Sequence, residues 1–139
     1  MKTTLDITSI QQINLFSKIT GVRAQNCFNY SNSILFVVDP NFFSRALGQS
    51  GENLRRLSMF LKKKVRIIRT PDSNDMERFV QAIVFPIKFK KLTVDEAGNV
   101  VINAGQQSKA SLIGRDHARL NELTSIVKQY FNIKDIRIV

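Results

Sequence analysis

Cysteine occurs once in this chain, at Cys27, and histidine once, at His117. A single cysteine excludes an internal disulfide, and cysteine poverty of this kind points to the cytoplasm. His117 has no Cys or His companion at metal-ligand spacing, so no metal site is read here and no cofactor is implied. No stretch approaches the roughly 18 consecutive apolar residues of a membrane span. Residues 1–9 also lack the basic and apolar regions of a secretion signal. Paired carboxylates in an evident pocket pattern and nucleotide-binding fingerprints are both missing, so the chain reads as no enzyme. Acidic residues are scarce too: 11 Asp and Glu stand against 21 Lys and Arg, a formal net charge of +10. A compact chain this basic meets a polyanion. Charge alone does not choose among RNA, DNA and an anionic membrane surface.

What the chain does have is apolar patterning and well-placed glycine. With 43% apolar residues it is a folded protein and not a disordered tail. Its 139 residues allow one ordinary domain or two small ones. The organising stretch is Leu47-Gly48-Gln49-Ser50-Gly51, which runs straight into Glu52-Asn53-Leu54-Arg55-Arg56-Leu57. Two glycines three apart let the backbone turn sharply, and the next helix then points unpaired amides outward at its positive end. Such an end receives a phosphate. A lone G-x-x-G is weak evidence, but a second copy follows: Leu112-Ile113-Gly114-Arg115-Asp116-His117, again ahead of an amphipathic stretch. Gly48 and Gly114 lie 66 residues apart, and their surroundings match.

The rest of the chain keeps that period. Asp6 to Ser9 is a capped start for a helix striped by Ile10, Ile13, Leu15, Phe16 and Ile19, with Gly21 as its stop. A strand from Val22 to Tyr30, a Ser31-Asn32-Ser33 turn and a buried strand Ile34–Val38 follow. A short helix from Asp39-Pro40 to Leu47 leads to the loop. Beyond it, Leu54, Leu57, Phe60 and Leu61 trace one face of a helix closed by Lys62-Lys63-Lys64, and Val65–Arg69 reads as a strand. Thr70 to Asp75 is the punctuation, which sets units of 1–72 and 73–139. In the second unit Met76, Phe79, Val80, Ile83 and Val84 make a helix ended before Pro86. Ile87–Val94 and Val100–Ile102 form a hairpin about Asp95–Asn99. Ser108–Ile113 is the short helix, Leu120, Leu123, Ile126, Val127 and Tyr130 stripe the next, and Ile136–Val139 closes the unit. The expected fold class is α+β, a duplicated α-β-β-α-α-β unit.

An α-β-β-α-α-β unit with G-x-x-G between its central helices resembles a type II KH domain. Two in tandem resemble the archaeal NusA-like transcription termination/antitermination proteins. Ala46 to Asn53, Ser111 to Asp116, the Phe85-Pro86-Ile87-Lys88 step and Tyr130 to Asp135 carry the likeness, which covers nearly the whole chain. It implies helices packed on one face of a three-stranded sheet, and single-stranded RNA gripped by its phosphates at each loop. A nascent transcript is the implied ligand, with RNA polymerase or other elongation factors as further partners and no membrane. Carried onto this sequence, the RNA-binding residues are Leu47, Gly48, Gln49, Ser50 and Gly51 with Arg55 and Arg56 in the first unit. In the second they are Lys109, Ile113, Gly114, Arg115, Asp116, His117 and Arg119. Two departures stand out: His117 replaces the second glycine, and Asp116 puts a negative charge in the cradle.

Blander readings stand beside several of these residues. The glycines also suit a plain helix–helix turn, and Leu47 and Ile113 suit either a groove wall or the core. Surface arginines such as Arg55 and Arg56 are often only solvated. Arg115 pairs either with phosphate or with Asp116, and His117 reads as a cap or loop residue. The chain's ten phenylalanines are core by default, with Phe42-Phe43 left open. Residues 1–72 hold 11 basic and 4 acidic side chains against 10 and 7 in residues 73–139, so the first unit carries more of the attraction for RNA. Two rivals remain: a KH module of ribosome assembly or RNA processing, and a protein-interaction scaffold whose degenerate loops no longer bind RNA.

Overall fold

A computed structural model describes residues 6–139, and its contacts divide the chain into two compact units that join in sequence at Thr70 and Pro71. The first unit runs α1 (Ile7–Thr20), β1 (Asn26–Tyr30), β2 (Ser33–Val38), α2 (Phe43–Leu47), α3 (Glu52–Leu61) and β3 (Lys64–Arg69). Asp6 caps α1 by accepting from the Ser9 amide at 2.7 Å, and Gly21 ends it at φ 74°, its N–H donating to Ser17 O. β1 and β2 form an antiparallel hairpin in which Tyr30 faces Ser33. Ser31 and Asn32 make that two-residue turn, both at positive φ as the twist of a tight hairpin requires. β3 then joins β2 in parallel, so β2 is the central strand.

All six residues of β2 are buried, which is why the run Ile34–Val38 shows no alternation. Ile34, Phe36 and Val38 form one core with Val65 and Ile67 of β3, Ile13 and Phe16 of α1, Ala46 of α2 and Leu57 of α3. The helices therefore share one face of the sheet. Phe16 and Phe36 stack with ring centroids 4.5 Å apart. A buried ring of this kind is worth about 3–5 kcal/mol when cut back to alanine. Cys27 belongs to the same core, where burial pushes its thiol up to about 12.

The second unit repeats the order with α4 (Met76–Val84), β4 (Lys91–Val94), β5 (Asn99–Asn103), α5 (Gln106–Ile113), α6 (Ala118–Lys128) and β6 (Asp135–Ile138). Its sheet has the same plan: β4 antiparallel to β5, and β6 parallel to β5. Asp75 caps α4 by accepting from the Arg78 amide, and Phe79, Val80, Ile83 and Val84 of that helix are all buried. Asp95 holds the β4–β5 turn by accepting from the Ala97 and Asn99 amides, and these bonds keep its carboxyl below the usual range. The α+β class is thus observed.

Several expectations need correction. The stretch Val22–Gln25 is not strand, because Thr20 Oγ1, which donates to Phe16 O at 2.8 Å, accepts from the Val22 N–H at 3.0 Å and ties that residue locally. Pairing begins only where Gln25 N donates to Val37 O. Likewise Ile87 N turns back to Val84 O and Gln81 Nε2 holds Ile87 O, so the second hairpin starts at Lys90 and not at Ile87. Phe60 is 62% exposed although Leu54, Leu57 and Leu61 face inward. At 100° per residue it stands roughly 90° from the middle of their stripe. Tyr130 lies past the end of α6. Among the ten phenylalanines only Phe16, Phe36 and Phe79 are buried, while Phe42, Phe60 and Phe85 are exposed.

Candidate nucleic-acid interface

The two glycine loops share their backbone conformation at three matched positions. Gly48 sits at φ 76°, ψ 173° and Gly114 at φ 74°, ψ 174°, a region open essentially to glycine alone. Ser50 (φ 55°, ψ 30°) matches Asp116 (φ 54°, ψ 31°) in the left-handed region. Gly51 (φ 71°, ψ 22°) matches His117 (φ 62°, ψ 19°). The hydrogen bonds match as well: Gly51 N donates to Gly48 O at 3.2 Å and His117 N to Gly114 O at 3.3 Å. The loss of the second glycine therefore leaves the turn intact. His117 occupies the N-cap position of α6, but its side chain makes no capping bond, so it is a loop residue there.

Space explains which glycine is replaceable. A Cβ on Gly48 would stand 2.8 Å from the Asn53 side chain, and one on Gly114 would stand 2.9 Å from Arg119 Cγ and 3.0 Å from Arg119 N. A Cβ on Gly51 would meet nothing nearer than Arg55 Nη1 at 3.8 Å. The second-glycine position needs only a residue that tolerates left-handed backbone, and histidine is among those enriched there.

Asn53 and Arg119 are counterparts, each five residues past its loop's first glycine. Asn53 Nδ2 donates to Arg45 O at 3.4 Å, and Arg119 Nη1 donates to Ser111 O at 3.1 Å. Both ties run to the end of the short helix before the loop, closing the helix–loop–helix corner. Sequence reading assigned Arg119 to RNA and overlooked Asn53, though their shared spacing from Gly114 and Gly48 was there to be seen. Arg55 braces its own loop, with Nη1 donating to Ser50 O at 2.6 Å. No side chain caps α3 or α6 at its N-terminus.

The expected residues gather unevenly. Gln49 and Ser50 are exposed at the first loop, with exposed Arg55 and Arg56 on the helix that follows. Leu47, the last residue of α2, packs against the core, and Ile113, which ends α5, is partly buried. Arg115, Asp116 and His117 are all exposed, and Lys109 lies one turn before Ile113 on α5. Among the described residues no ion pair joins Arg115 to Asp116, so the local pairing considered above does not form. Positions that are Arg55 and Arg56 in the first unit are Asn121 and Glu122 in the second. Glu52, not among the expected site residues, places a carboxylate in the first turn of α3. The first unit also carries Arg69, whose guanidinium lies 3.7 Å over the Phe43 ring.

In the second unit a groove of about 440 Å³ runs between α6 and β6, lined among others by Leu120, Thr124, Lys128 and Ile136. Ile113 does not line it. Among the described residues no group of three or more His, Cys, Asp or Glu side chains is placed to hold a metal ion. No described helix is long and apolar enough to cross a membrane.

Comparison with known proteins gives a consistent picture. The chain is 26% identical over 142 residues to a probable transcription termination protein NusA of Methanococcus vannielii, covering all of this chain and 81% of the relative. A protein of the same description from Halococcus morrhuae is 26% identical over 140 residues, 99% of each chain. One from Methanocaldococcus jannaschii is 26% identical over 141 residues, covering 76% of its length. Among solved structures, the crystal structure of APE1850 matches 97% of this chain and all of its own, with 26% identity and a TM-score of 0.67. No family model matches the chain. The resemblance to archaeal NusA-like proteins, read from the two loops, the Phe85–Lys88 step and the Tyr130–Asp135 stretch, is borne out along the whole length.

Proposed function

We propose that the chain is a single-stranded RNA-binding protein made of two tandem type II KH domains, 1–72 and 73–139. In this reading it acts in the cytoplasm on nascent transcripts, as a NusA-like factor in elongation, termination or antitermination, without catalysing a reaction. The observation that carries it is the pair of loops with matching dihedral angles, each ahead of a helix with no capping side chain. A phosphate placed there meets the positive end of the helix dipole and backbone donors that no side chain occupies. A KH loop holds the backbone of about four nucleotides, and the net charge of +10 draws the polyanion in. The names of the relatives support the setting in transcription termination; RNA polymerase or other elongation factors would be the further partners in this reading.

A division of labour within the chain has its own support. The second loop presents the Asp116 carboxylate where a phosphate would lie, and its flank exchanges two arginines for Asn121 and Glu122. The first unit then grips RNA and the second serves more as a structural or protein-binding partner. The test is a titration of fluorescent single-stranded RNA of about a dozen nucleotides against rising salt. Binding should weaken with a log–log slope of about −3 if about four phosphates are contacted. Failure to bind at low salt, or affinity indifferent to salt, would contradict the reading.

A further inference from the structure

The first unit holds a concave site whose lining is separate from the glycine loop. A groove of about 490 Å³ opens where the end of α1, the lead-in to β1 and the turn after β2 come together. That volume is in the range of about 300–1,000 Å³ found for small-ligand sites. Its floor is apolar, with Ile13, Val22 and Ala24 all buried. Its rim presents the Phe42 ring, 46% exposed, the exposed guanidinium groups of Arg23 and Arg45, and the carboxylate of Asp39. One Asp39 oxygen, Oδ1, accepts from the Asn41 amide at 2.8 Å. Among the described residues neither arginine is held in an ion pair. Arg45 Nη2 lies 3.8 Å from where a Cβ on Gly21 would stand, so the Arg45 head group reaches across to the end of α1.

The second unit shows that the fold does not need these side chains. Sixty-six residues on, the same offset that relates the two loops, Asp39, Phe42 and Arg45 become Gly105, Ser108 and Ser111. The ring, the guanidinium and the carboxylate are all lost there. An exposed aromatic face beside two unpaired cations is the combination that stacks a base and holds its phosphate. We propose that this groove takes one unpaired nucleotide of the bound RNA, its base on Phe42 and its phosphate against Arg23 and Arg45. The free oxygen of Asp39 accepts from an amino group of the base, which would favour bases that carry one. A purely apolar protein segment would leave both cations unused, and the rim is net positive, as a nucleotide requires.

This role rests on the RNA-binding reading above, and separate measurements tell the two apart. The isotope-labelled full chain is titrated by NMR with adenosine monophosphate, uridine monophosphate and inorganic phosphate. The nucleotides should shift the amides of residues 21–25 and 42 saturably, phosphate alone should not, and Phe42→Ala should abolish the shifts. With the dozen-nucleotide RNA, Phe42→Ala should weaken binding by about fivefold or more. Arg23→Gln, at an exposed position that leaves the fold untouched, should reduce the salt slope by about 0.7. Equal shifts with phosphate alone would overturn base recognition. If both variants bind RNA as the parent does and nucleotides move no amide in the groove, the groove has no such role, while RNA binding at the loop still stands. If the parent binds neither RNA nor nucleotides, both readings fall.

Discussion

At the residue scale the first loop contains two glycines that are needed for different reasons. Gly48 combines a backbone region closed to other residues with a neighbour, Asn53, standing where its Cβ would go. Gly51 has only the left-handed backbone to satisfy, in open space. Gly48→Ala should therefore lower the unfolding free energy by about 1–3 kcal/mol or more, since strain and clash add. Gly51→Ala should cost only about 1 kcal/mol. Urea denaturation of the two variants decides it, and equal costs would show that the Asn53 contact does not constrain the loop. The second loop has already made the cheaper exchange at His117. What the sequence presented as a degenerate motif is thus a preserved backbone with altered side-chain chemistry. That difference was not legible, because a glycine in the sequence does not say whether space or φ demands it.

At the element scale the legible features were those set by local chemistry. The Asp6 cap, the Gly21 stop, the apolar run of β2 and the Asp95 turn can each be read from a few adjacent residues. Alternation or apolar character misled where a local hydrogen bond took the backbone first, at Thr20–Val22 and at Val84–Ile87. The α3 stripe was right at its centre and wrong at its margin, Phe60. The tie between each helix and the short helix before it was missed, because Asn53 and Arg119 share a task but not a chemistry. Arg119→Ala should lower the stability of the second unit by about 1 kcal/mol by freeing the Ser111 carbonyl. Loss of NMR-observed amide protection along α5 and α6 is the check, and unchanged protection would return Arg119 to the role of a plain surface cation. The Phe42 groove was the least legible feature, since its lining is drawn from three separated segments.

At the scale of the whole molecule, duplication and charge carry the account. Two copies of one unit keep one loop geometry, yet the flanking cations are concentrated in the first, where Gln49 and Ser50 leave the cradle neutral and open. On the proposed function this first loop holds RNA phosphate with backbone and polar groups. The most direct test is the affinity of single-stranded RNA for Gln49→Asp/Ser50→Asp compared with the parent chain. Both sites are exposed, and Asp116 already occupies the backbone conformation of Ser50, so the double variant should fold. Affinity should fall by about tenfold or more, because two carboxylates would face the phosphate and its charge-assisted bonds would be lost. Binding as tight as the parent's would contradict it, and the loop would then be no more than a turn between helices.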